Sequence, residues 1–140
     1  MRTWEVVLDT NVFISALRSS GGASFRLLSM VGKNERFRIH LSVPLALEYE
    51  DAAKREGQVG VTPQAVEDVL DYLCSVAQLH DIFFLWRPTL RDPKDDLVLE
   101  AAVAGSCHGI VSYNTRDFEG VDQCGLWVET PAEFLKRIGG

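Results

Sequence analysis

The first informative pattern in the chain is an unbroken apolar run that ends at an aspartate. Val6, Val7 and Leu8 have no polar residue alternating with them, which is typical of a strand buried on both faces of a parallel sheet. Asp9 follows directly, and the apolar residues of the segment 12–17 predict a helix after it. Asp9 either caps this helix or lies at the sheet edge where open α/β folds bind their ligands.

Helical and strand patterns then alternate. The segment 23–31 predicts a second helix, and the alternation over 37–41 predicts a strand whose wetter face carries Arg38, His40 and Ser42. Ser42 is expected to cap a third helix that reaches residue 55. The later predicted elements are a loop at 57–60, a helix from 62, a strand at 82–86, a buried helix at 97–104, a strand at 109–112, a loop at 113–117, a strand at 126–128 and a helix after the capping box 130–133.

This alternation predicts one domain over residues 1–140. The expected fold is α/β, a Rossmann-like three-layer α/β/α sandwich around a mainly parallel sheet of about five strands, joined by right-handed crossovers. With 46% hydrophobic and 24% charged residues, the chain has ordinary globular composition. No apolar run approaches the roughly 20 residues of a membrane span, and the N-terminus carries no export signal.

Cysteine content and net charge narrow the expected partners. Cys74, Cys107 and Cys124 are an odd, scattered set, which favours reduced thiols and a cytoplasmic location. The net charge of −6 argues against a protein with a basic nucleic-acid-binding face. It is compatible with a cluster of carboxylates that binds divalent cations, because the bound ions reverse the local field.

Carboxylates from four separate segments are expected at one edge of the predicted sheet. Asp9 ends the first strand, Glu48 lies early in the third helix, Asp96 opens the buried helix and Asp117 follows the strand at 109–112. Carboxylates gathered at this edge repel each other by roughly 1 to 4 kcal/mol per pair at 4 Å. A divalent cation removes that repulsion, and carboxylate oxygens suit Mg²⁺ or Mn²⁺.

Each of these residues also has an ordinary structural explanation. Glu48 can be a solvated helix residue, and either Asp95 or Asp96 can be only the N-cap of the buried helix. Asp92 is a further candidate in the same segment. Asn114 and Asp117 can form an Asx-turn. The three histidines fall in no metal-ligand spacing.

Four motifs in register resemble the PIN-domain family, in its bacterial, toxin-like (VapC-type) branch. They are Val7-Leu8-Asp9-Thr10-Asn11-Val12, Ser42 with Glu48, Asp92-Pro93-Lys94-Asp95-Asp96 with Leu99 and Ala101, and Val111-Ser112-Tyr113-Asn114-Thr115-Arg116-Asp117-Phe118. The ending Val128-Glu129-Thr130-Pro131 with Glu133-Phe134-Leu135 is similar to that branch as well. Together the motifs cover nearly the whole chain in order.

The resemblance implies a Mg²⁺- or Mn²⁺-dependent ribonuclease, often dimeric and neutralised by an antitoxin. Carried over to this sequence, it makes Asp9 and Asp96 the principal metal ligands, with Glu48 and Asp117 completing the acidic cluster. Thr10 and Asn11 would hold Asp9 and the metal waters in place. Asn114 departs from an aspartate frequent in this branch, which weakens a second metal site.

Two residues near that segment have open roles. Tyr113 stands where a small residue is frequent, and it either stacks on a base or covers the rim of the site. Arg116 and Arg91 are candidates for phosphate contacts, although arginine in a loop is usually solvated.

The leading hypothesis is a single-domain endoribonuclease that hydrolyses phosphodiesters with a metal-activated water, as the toxin of a toxin–antitoxin pair. Its expected partners are an RNA substrate, a second copy of the chain and an antitoxin, with no membrane. One alternative is a metal-dependent phosphohydrolase of another type, which the lack of an Asp-x-Asp at the first strand disfavours. The other is an inactive module of the same fold that only binds a partner.

Overall fold

A computed structural model describes residues 2–55, 59–81 and 93–139 of the protein, apart from the side chain of Pro93. Five strands lie in these ranges: β1 (Trp4–Leu8), β2 (Phe37–Ser42), β3 (Gln78–His80), β4 (Gly109–Val111) and β5 (Trp127–Glu129). The α-helices there are α1 (Thr10–Arg18), α2 (Ala23–Met30), α3 (Val43–Lys54), α4 (Pro63–Val76), α5 (Pro93–Ala104) and α6 (Pro131–Arg137). Two 3-10 helices, Thr115–Phe118 and Val121–Cys124, separate β4 from β5.

The five strands form one sheet in the order β3-β2-β1-β4-β5, and each neighbouring pair is parallel. This confirms the predicted α/β class and the parallel sheet. The chain moves from β1 outward to β2 and β3 and then returns to β4 on the other side of β1. The strand order therefore reverses between β1 and β4, the position at which open α/β sheets place their binding crevice.

Local sequence signals account for where the helices begin. Ser42, Thr62 and Thr130 each accept a hydrogen bond from a backbone N–H in the first turn of α3, α4 and α6, and proline follows each cap within two residues. The capping box of Thr130 and Glu133 forms as predicted. These starts direct α3 and α6 back along the sheet from the edge at which β2 and β5 end.

The central strand β1 and the helix α5 form the middle of the core. Val6, Val7 and Leu8 are at most 1% exposed, as the unbroken apolar run predicts. Helix α5 packs across β1, β2 and β4, and its residues 98–102 are all buried. One of them is Glu100, so the prediction of a helix that is apolar nearly all round holds except at this carboxylate.

The predicted wet face of β2 is wrong for two of its three residues. Arg38 is exposed, but His40 is only 5% exposed and Ser42 is fully buried. His40 Nε2 lies 2.7 Å from Glu5 Oε1, and His40 Nδ1 lies 2.8 Å from His80 Nε2. Partners on β1 and β3 thus satisfy His40 inside the protein, so polarity along β2 does not indicate contact with water.

Two other local predictions need correction, and the structure adds a strand that was not predicted. Helix α5 begins at Pro93, so Asp95 and Asp96 both lie inside its first turn and neither is the N-cap. Part of the predicted loop at 113–117 is the 3-10 helix that begins at Thr115. The strand before α5 that the structure describes is β3, at Gln78–His80.

Several predicted features lie outside the described residues. They are the strand at 82–86, part of the loop at 57–60, Arg91 and Asp92. Among the helices that are described, none is long and apolar enough to cross a membrane.

Candidate active site

Asp9 lies at the carboxyl end of β1, where it both caps α1 and occupies the sheet edge at which open α/β folds bind their ligands. As the N-cap of α1, its Oδ1 accepts a hydrogen bond of 2.7 Å from the backbone N–H of Thr10. Its own N–H continues the β1–β4 ladder to the carbonyl of Val111 at 2.8 Å. Asp9 is only 6% exposed, yet it lines an open cleft at the point where the strand order reverses. Its carboxylate therefore has a fixed orientation at the expected edge of the sheet.

Ser112 is the second polar group that organises this edge. Because Leu8 pairs with Val111, the residues that follow them, Asp9 and Ser112, lie side by side. The hydroxyl of Ser112, which is fully buried, donates to Asp9 Oδ2 at 2.6 Å. It accepts from the backbone N–H of Asn114 at 3.0 Å and from Asn11 Nδ2 at 3.4 Å. One hydroxyl thus connects the residues after β1 to the loop after β4.

Two aromatic rings hold α3 against α1 and β1. Phe13 and Tyr49 stack with ring centroids 4.9 Å apart and an interplanar angle of 10°. The hydroxyl of Tyr49 donates to the carbonyl of Leu8, the residue before Asp9. Burial, and to a smaller extent the electrostatic effects of Asp9 and Cys74, raises the pKa of Tyr49 well above its ordinary value, so the phenol keeps its proton. This packing fixes the middle of α3, and with it Glu48, relative to Asp9.

Glu48 has a cationic partner from another helix. Lys94 Nζ, in the first turn of α5, lies 3.6 Å from Glu48 Oε1. The Glu48 side chain is 12% exposed, whereas half of the Lys94 side chain is exposed. Glu48 is therefore a largely buried carboxylate facing the cleft, and not the solvated residue of its ordinary explanation.

The cleft has a volume of about 530 Å³ and collects most of the predicted site residues. Its lining contains the predicted Asp9, Thr10, Asn11, Glu48, Asn114 and Asp117. It also contains three cationic side chains that the sequence analysis did not place there, Arg18, Arg55 and Lys94. An acidic floor with basic residues in its wall can hold a cation and an anionic substrate at once.

Two predicted residues are not brought into the cleft lining. Asp95 lines the cleft and the preferred candidate Asp96 does not, although both lie in the first turn of α5. Arg116 is exposed on the 3-10 helix Thr115–Phe118 and is also outside the lining. Asp117 and Asn114 are exposed where they meet the cleft.

The donor chemistry of the cleft suits a hard divalent cation, because its acidic groups are all carboxylates. Across residues 2–55, 59–81 and 93–139, however, no three His, Cys, Asp or Glu side chains are close enough together to hold one ion. Lys94, placed beside Glu48, supplies positive charge to this region. The residues thus fit a metal by type and share one cleft, but no three of the described side chains are brought together around one ion.

Sequence reasoning missed Ser112 and the three cations Arg18, Arg55 and Lys94 as site residues. Ser112 had a usable signal, because it ends the strand at 109–112 just as Asp9 ends the first strand. Its contact with Asp9 follows once β1 and β4 are known to be neighbours in that register. The cations had no such signal, since their positions depend on how α1, α3 and α5 pack.

Comparison with known proteins gives one family match. Residues 5–116 match the family model of the PIN domain. The matched segment includes Asp9, Glu48 and Asp96 and ends one residue before Asp117. No curated protein sequence matches the chain significantly.

Ten chains in solved structures match this fold. One is in the crystal structure of VapBC2 from Rickettsia felis bound to a DNA fragment from their promoter. It has a TM-score of 0.58 and 16% sequence identity, over 90% of this chain and 98% of that chain. At this identity the likeness is one of fold.

Proposed function

The chain belongs to the PIN-domain family, and from that premise we propose that it is a divalent-metal-dependent endoribonuclease. PIN domains are generally nucleases, and PIN-domain nucleases generally use divalent metals. The observation that carries the proposal is the cleft between β1 and β4, where the buried Asp9 carboxylate shares one lining with Glu48 and Asp117. RNA as the substrate and Mg²⁺ or Mn²⁺ as the ion belong to the proposal.

The proposed ligands are Asp9, Glu48, Asp96 and Asp117, with Thr10, Asn11, Asn114 and Arg116 in supporting roles or in contact with the substrate. A divalent cation held there would supply Lewis-acid polarisation of the phosphate and acidify a water molecule. The chain's own groups do the remaining work. Ser112 and the N–H of Thr10 orient Asp9 by hydrogen bonds to both of its carboxylate oxygens.

The cationic wall of the cleft would attract the RNA backbone. Arg18, Arg55 and Lys94 place positive charge next to the acidic floor, although the whole chain carries −6. Local charge of this kind can bind phosphates even where the average surface is acidic. This supports RNA as a substrate better than the net charge alone does.

A toxin–antitoxin role is the second part of the proposal. It is supported by the fold likeness to a chain of VapBC2, whose structure also contains promoter DNA. The proposed partners are a cognate antitoxin and a second copy of this chain. The proposed location is the cytoplasm, since Cys74, Cys107 and Cys124 all have free thiols.

The decisive experiment measures cleavage of a labelled RNA pool by the purified protein with Mn²⁺ and with EDTA. The Asp9→Asn variant is then assayed with Mn²⁺ in the same way. We expect the wild type to cleave RNA with Mn²⁺ but not with EDTA. The rate for Asp9→Asn should be at least ~100-fold lower, because mutating even a hydrogen-bonding partner of a metal ligand usually lowers metal affinity or activity 10- to 100-fold. Asparagine remains a good N-cap, so the variant should fold. Asp71→Asn, which makes the same change on the exposed face of α4, should cleave like the wild type.

Each contrary result has a defined meaning. Wild-type cleavage by Asp9→Asn would overturn the mechanism. Hydrolysis of small phosphate esters without RNA cleavage would indicate a phosphohydrolase. A folded protein that neither cleaves RNA nor binds Mn²⁺ by calorimetry would be an inactive, partner-binding member of the family.

The same assay assigns the ligand in α5. The family resemblance selects Asp96, whereas Asp95 lines the cleft. We expect Asp96→Asn to lower the cleavage rate more than Asp95→Asn does, and Asp95→Asn to lower it less than tenfold. The reverse order would move the assignment to Asp95.

A further inference from the structure

An exposed aromatic ring lies in the cleft beside the acidic residues. Tyr113 directly follows the buried Ser112 and is 44% exposed, and it lines the same cleft as Asp9 and Asn114. In the described part of the chain its ring makes no stacking contact with another aromatic side chain. A partly exposed ring next to a phosphate-binding cleft is where an unpaired base would be bound.

Tyr113 is held in place at both of its ends. Its phenol oxygen lies 2.6 Å from Oγ of Ser24, a fully buried residue of α2. Its backbone N–H donates to Asn11 Oδ1 at 3.3 Å, and Asn11 belongs to the group around Ser112. The ring is therefore oriented before any ligand arrives, so little side-chain entropy is lost when a ligand stacks on it.

The two ends of Tyr113 connect different parts of the cleft. Ser24 lies in α2, whereas Asn11 lies in the first turn of α1, next to Asp9. A side chain that served only to cover the rim would gain most from burying its ring, and nearly half of this residue is exposed. The observed arrangement ties the Tyr113 hydroxyl to the buried Ser24 and leaves 44% of the tyrosine exposed in the cleft.

We propose that Tyr113 is a stacking platform for an unpaired nucleobase of single-stranded RNA, positioned beside the carboxylates by its hydrogen bond to Ser24. The inference rests on the proposed function, since it takes the cleft as an RNA site. Tyr113 contacts the substrate, and Ser24 is a positioning residue. Base stacking gives affinity with little sequence preference, while the cations of the cleft bind the phosphates.

The test compares two short single-stranded ligands, oligo(U) and an abasic oligomer with the same ribose-phosphate backbone. Binding to full-length protein is measured in Ca²⁺, with a gel showing that the oligomer stays intact. The wild type should bind oligo(U) about tenfold more tightly than the abasic oligomer, and Tyr113→Ala should bind both equally. Tyr113→Phe and Ser24→Ala keep the ring but remove its hydrogen bond, and each should bind oligo(U) about threefold more weakly than the wild type. The double variant should bind no more weakly than either single variant.

Tyr72→Ala is the matched control. Tyr72 is also a partly exposed tyrosine, and its hydroxyl donates to the carbonyl of Val31 at 2.7 Å, but it lies in a different groove between α2 and α4. This variant should keep the wild-type preference for oligo(U). If Tyr113→Ala changes the melting temperature but keeps that preference, Tyr113 only covers the rim and the inference is wrong.

The outcome separates this inference from the nuclease proposal. If the base preference depends on Tyr113 but the protein cleaves no RNA with Mn²⁺, the stacking inference is supported and the nuclease proposal is wrong. RNA cleavage with KM unchanged in Tyr113→Ala would keep the nuclease and remove the platform. If both hold, Tyr113→Ala should raise KM about tenfold and leave kcat nearly unchanged.

Discussion

The hydroxyl of Ser112 connects three groups that would otherwise be unrelated in the chain. It donates to the Asp9 carboxylate and accepts from the side chain of Asn11 and the backbone of Asn114. Removing the buried hydroxyl takes away these hydrogen bonds, and the loss costs most at the buried Asp9 carboxylate. Ser112 therefore affects both the stability of the fold and the orientation of Asp9.

We expect Ser112→Ala to lower the free energy of unfolding by about 1 to 3 kcal/mol. Because Asp9 loses the hydrogen bond from Ser112, Mn²⁺ affinity and RNA cleavage should also fall, by about 10- to 100-fold. Ser112→Thr keeps the hydroxyl and should restore most of the activity. Calorimetry, chemical denaturation and the cleavage assay measure these effects, and normal metal affinity in a destabilised Ser112→Ala protein would limit Ser112 to a structural role.

Lys94 is a second residue with a specific consequence. Its ammonium group lies 3.6 Å from Glu48 and competes with a divalent cation for that carboxylate. Lys94→Gln should tighten Mn²⁺ binding by about fivefold, which corresponds to roughly 1 kcal/mol for unit charges at 4 Å in water.

The stability of Lys94→Gln should stay within about 1 kcal/mol of the wild type, since the Lys94 side chain is half exposed. Lys136→Gln, an exposed charge change on α6, is the control for Mn²⁺ titration by calorimetry. Weaker Mn²⁺ binding by Lys94→Gln would show that the ammonium does not compete for Glu48.

At the level of elements, the capped starts and the buried strands were readable from sequence. The caps at Ser42, Thr62 and Thr130 and the apolar run of β1 are local patterns, and each forms as predicted. The prediction of a solvent-facing side of β2 was wrong for His40 and Ser42, because alternation shows which residues are polar and not which residues water reaches. His40 is polar, yet Glu5 and His80 satisfy it inside the protein.

The hydrogen-bonded chain of Glu5, His40 and His80 links β1, β2 and β3 across one face of the sheet. Because a carboxylate only accepts, His40 Nε2 donates to Glu5, and a second hydrogen bond joins His40 Nδ1 to His80 Nε2. The residue after α5 closes over this pair, because a Cβ added at Gly105 would collide with the His40 ring at Nδ1. The edge strand β3 is thus joined to the sheet by a group that titrates.

This chain predicts that the protein loses stability as the pH falls below 6.5. Desolvation and the nearby His40 lower the pKa of His80 below its ordinary 6.5, so the unfolded state binds the proton more readily. Stability is then complete above pH 6.5 and decreases as the pH falls through the lowered pKa. Denaturant midpoints from pH 8 to pH 5 should show this loss, and His80→Gln should flatten it; an equal slope in the variant would exclude His80 as the cause.

Glu5 adds a second loss of stability at lower pH. Burial raises the pKa of Glu5, but hydrogen bonds from Arg38 and His40 outweigh this, and the pKa lies below its ordinary 4.5. The stability that Glu5 contributes is present above pH 4.5 and is lost as the pH falls below it. Acid unfolding below pH 4.5 should therefore continue in the His80→Gln variant.

At the level of the whole molecule, the fold class was predictable because strands and helices alternate along the entire chain. The shared cleft of Asp9, Glu48 and Asp117 was predictable in outline, since parallel strands end at one edge. What sequence alone could not supply is tertiary packing: the approach of Lys94 to Glu48, the place of Arg18 in the cleft, and the choice between Asp95 and Asp96. These depend on the rotation and tilt of α1, α3 and α5.

The charge distribution predicts a modest dependence of RNA binding on salt. Three cations line the cleft of a chain whose net charge is −6, so few phosphates are neutralised. For a single strand, each neutralised phosphate contributes about −0.7 to the slope of log affinity against log salt concentration. Three cations should therefore give a slope near −2. Arg18→Gln should reduce the steepness by about 0.7, while Lys136→Gln, outside this cleft, should not change it. Salt-independent binding would contradict the role assigned to these cations.

The pairing of β1 with β4 has a consequence for how the protein is made. Asp9 and Ser112 are hydrogen bonded across 103 positions of sequence, so Asp9 leaves the ribosome long before its partner is synthesised. Until β4 emerges and pairs with β1, the cleft has only one of its two central walls. Under the proposed function, the hydrogen bond from Ser112 that orients the Asp9 carboxylate forms only after Ser112 has left the ribosome, so a growing chain would lack this part of the site until β4 is in place.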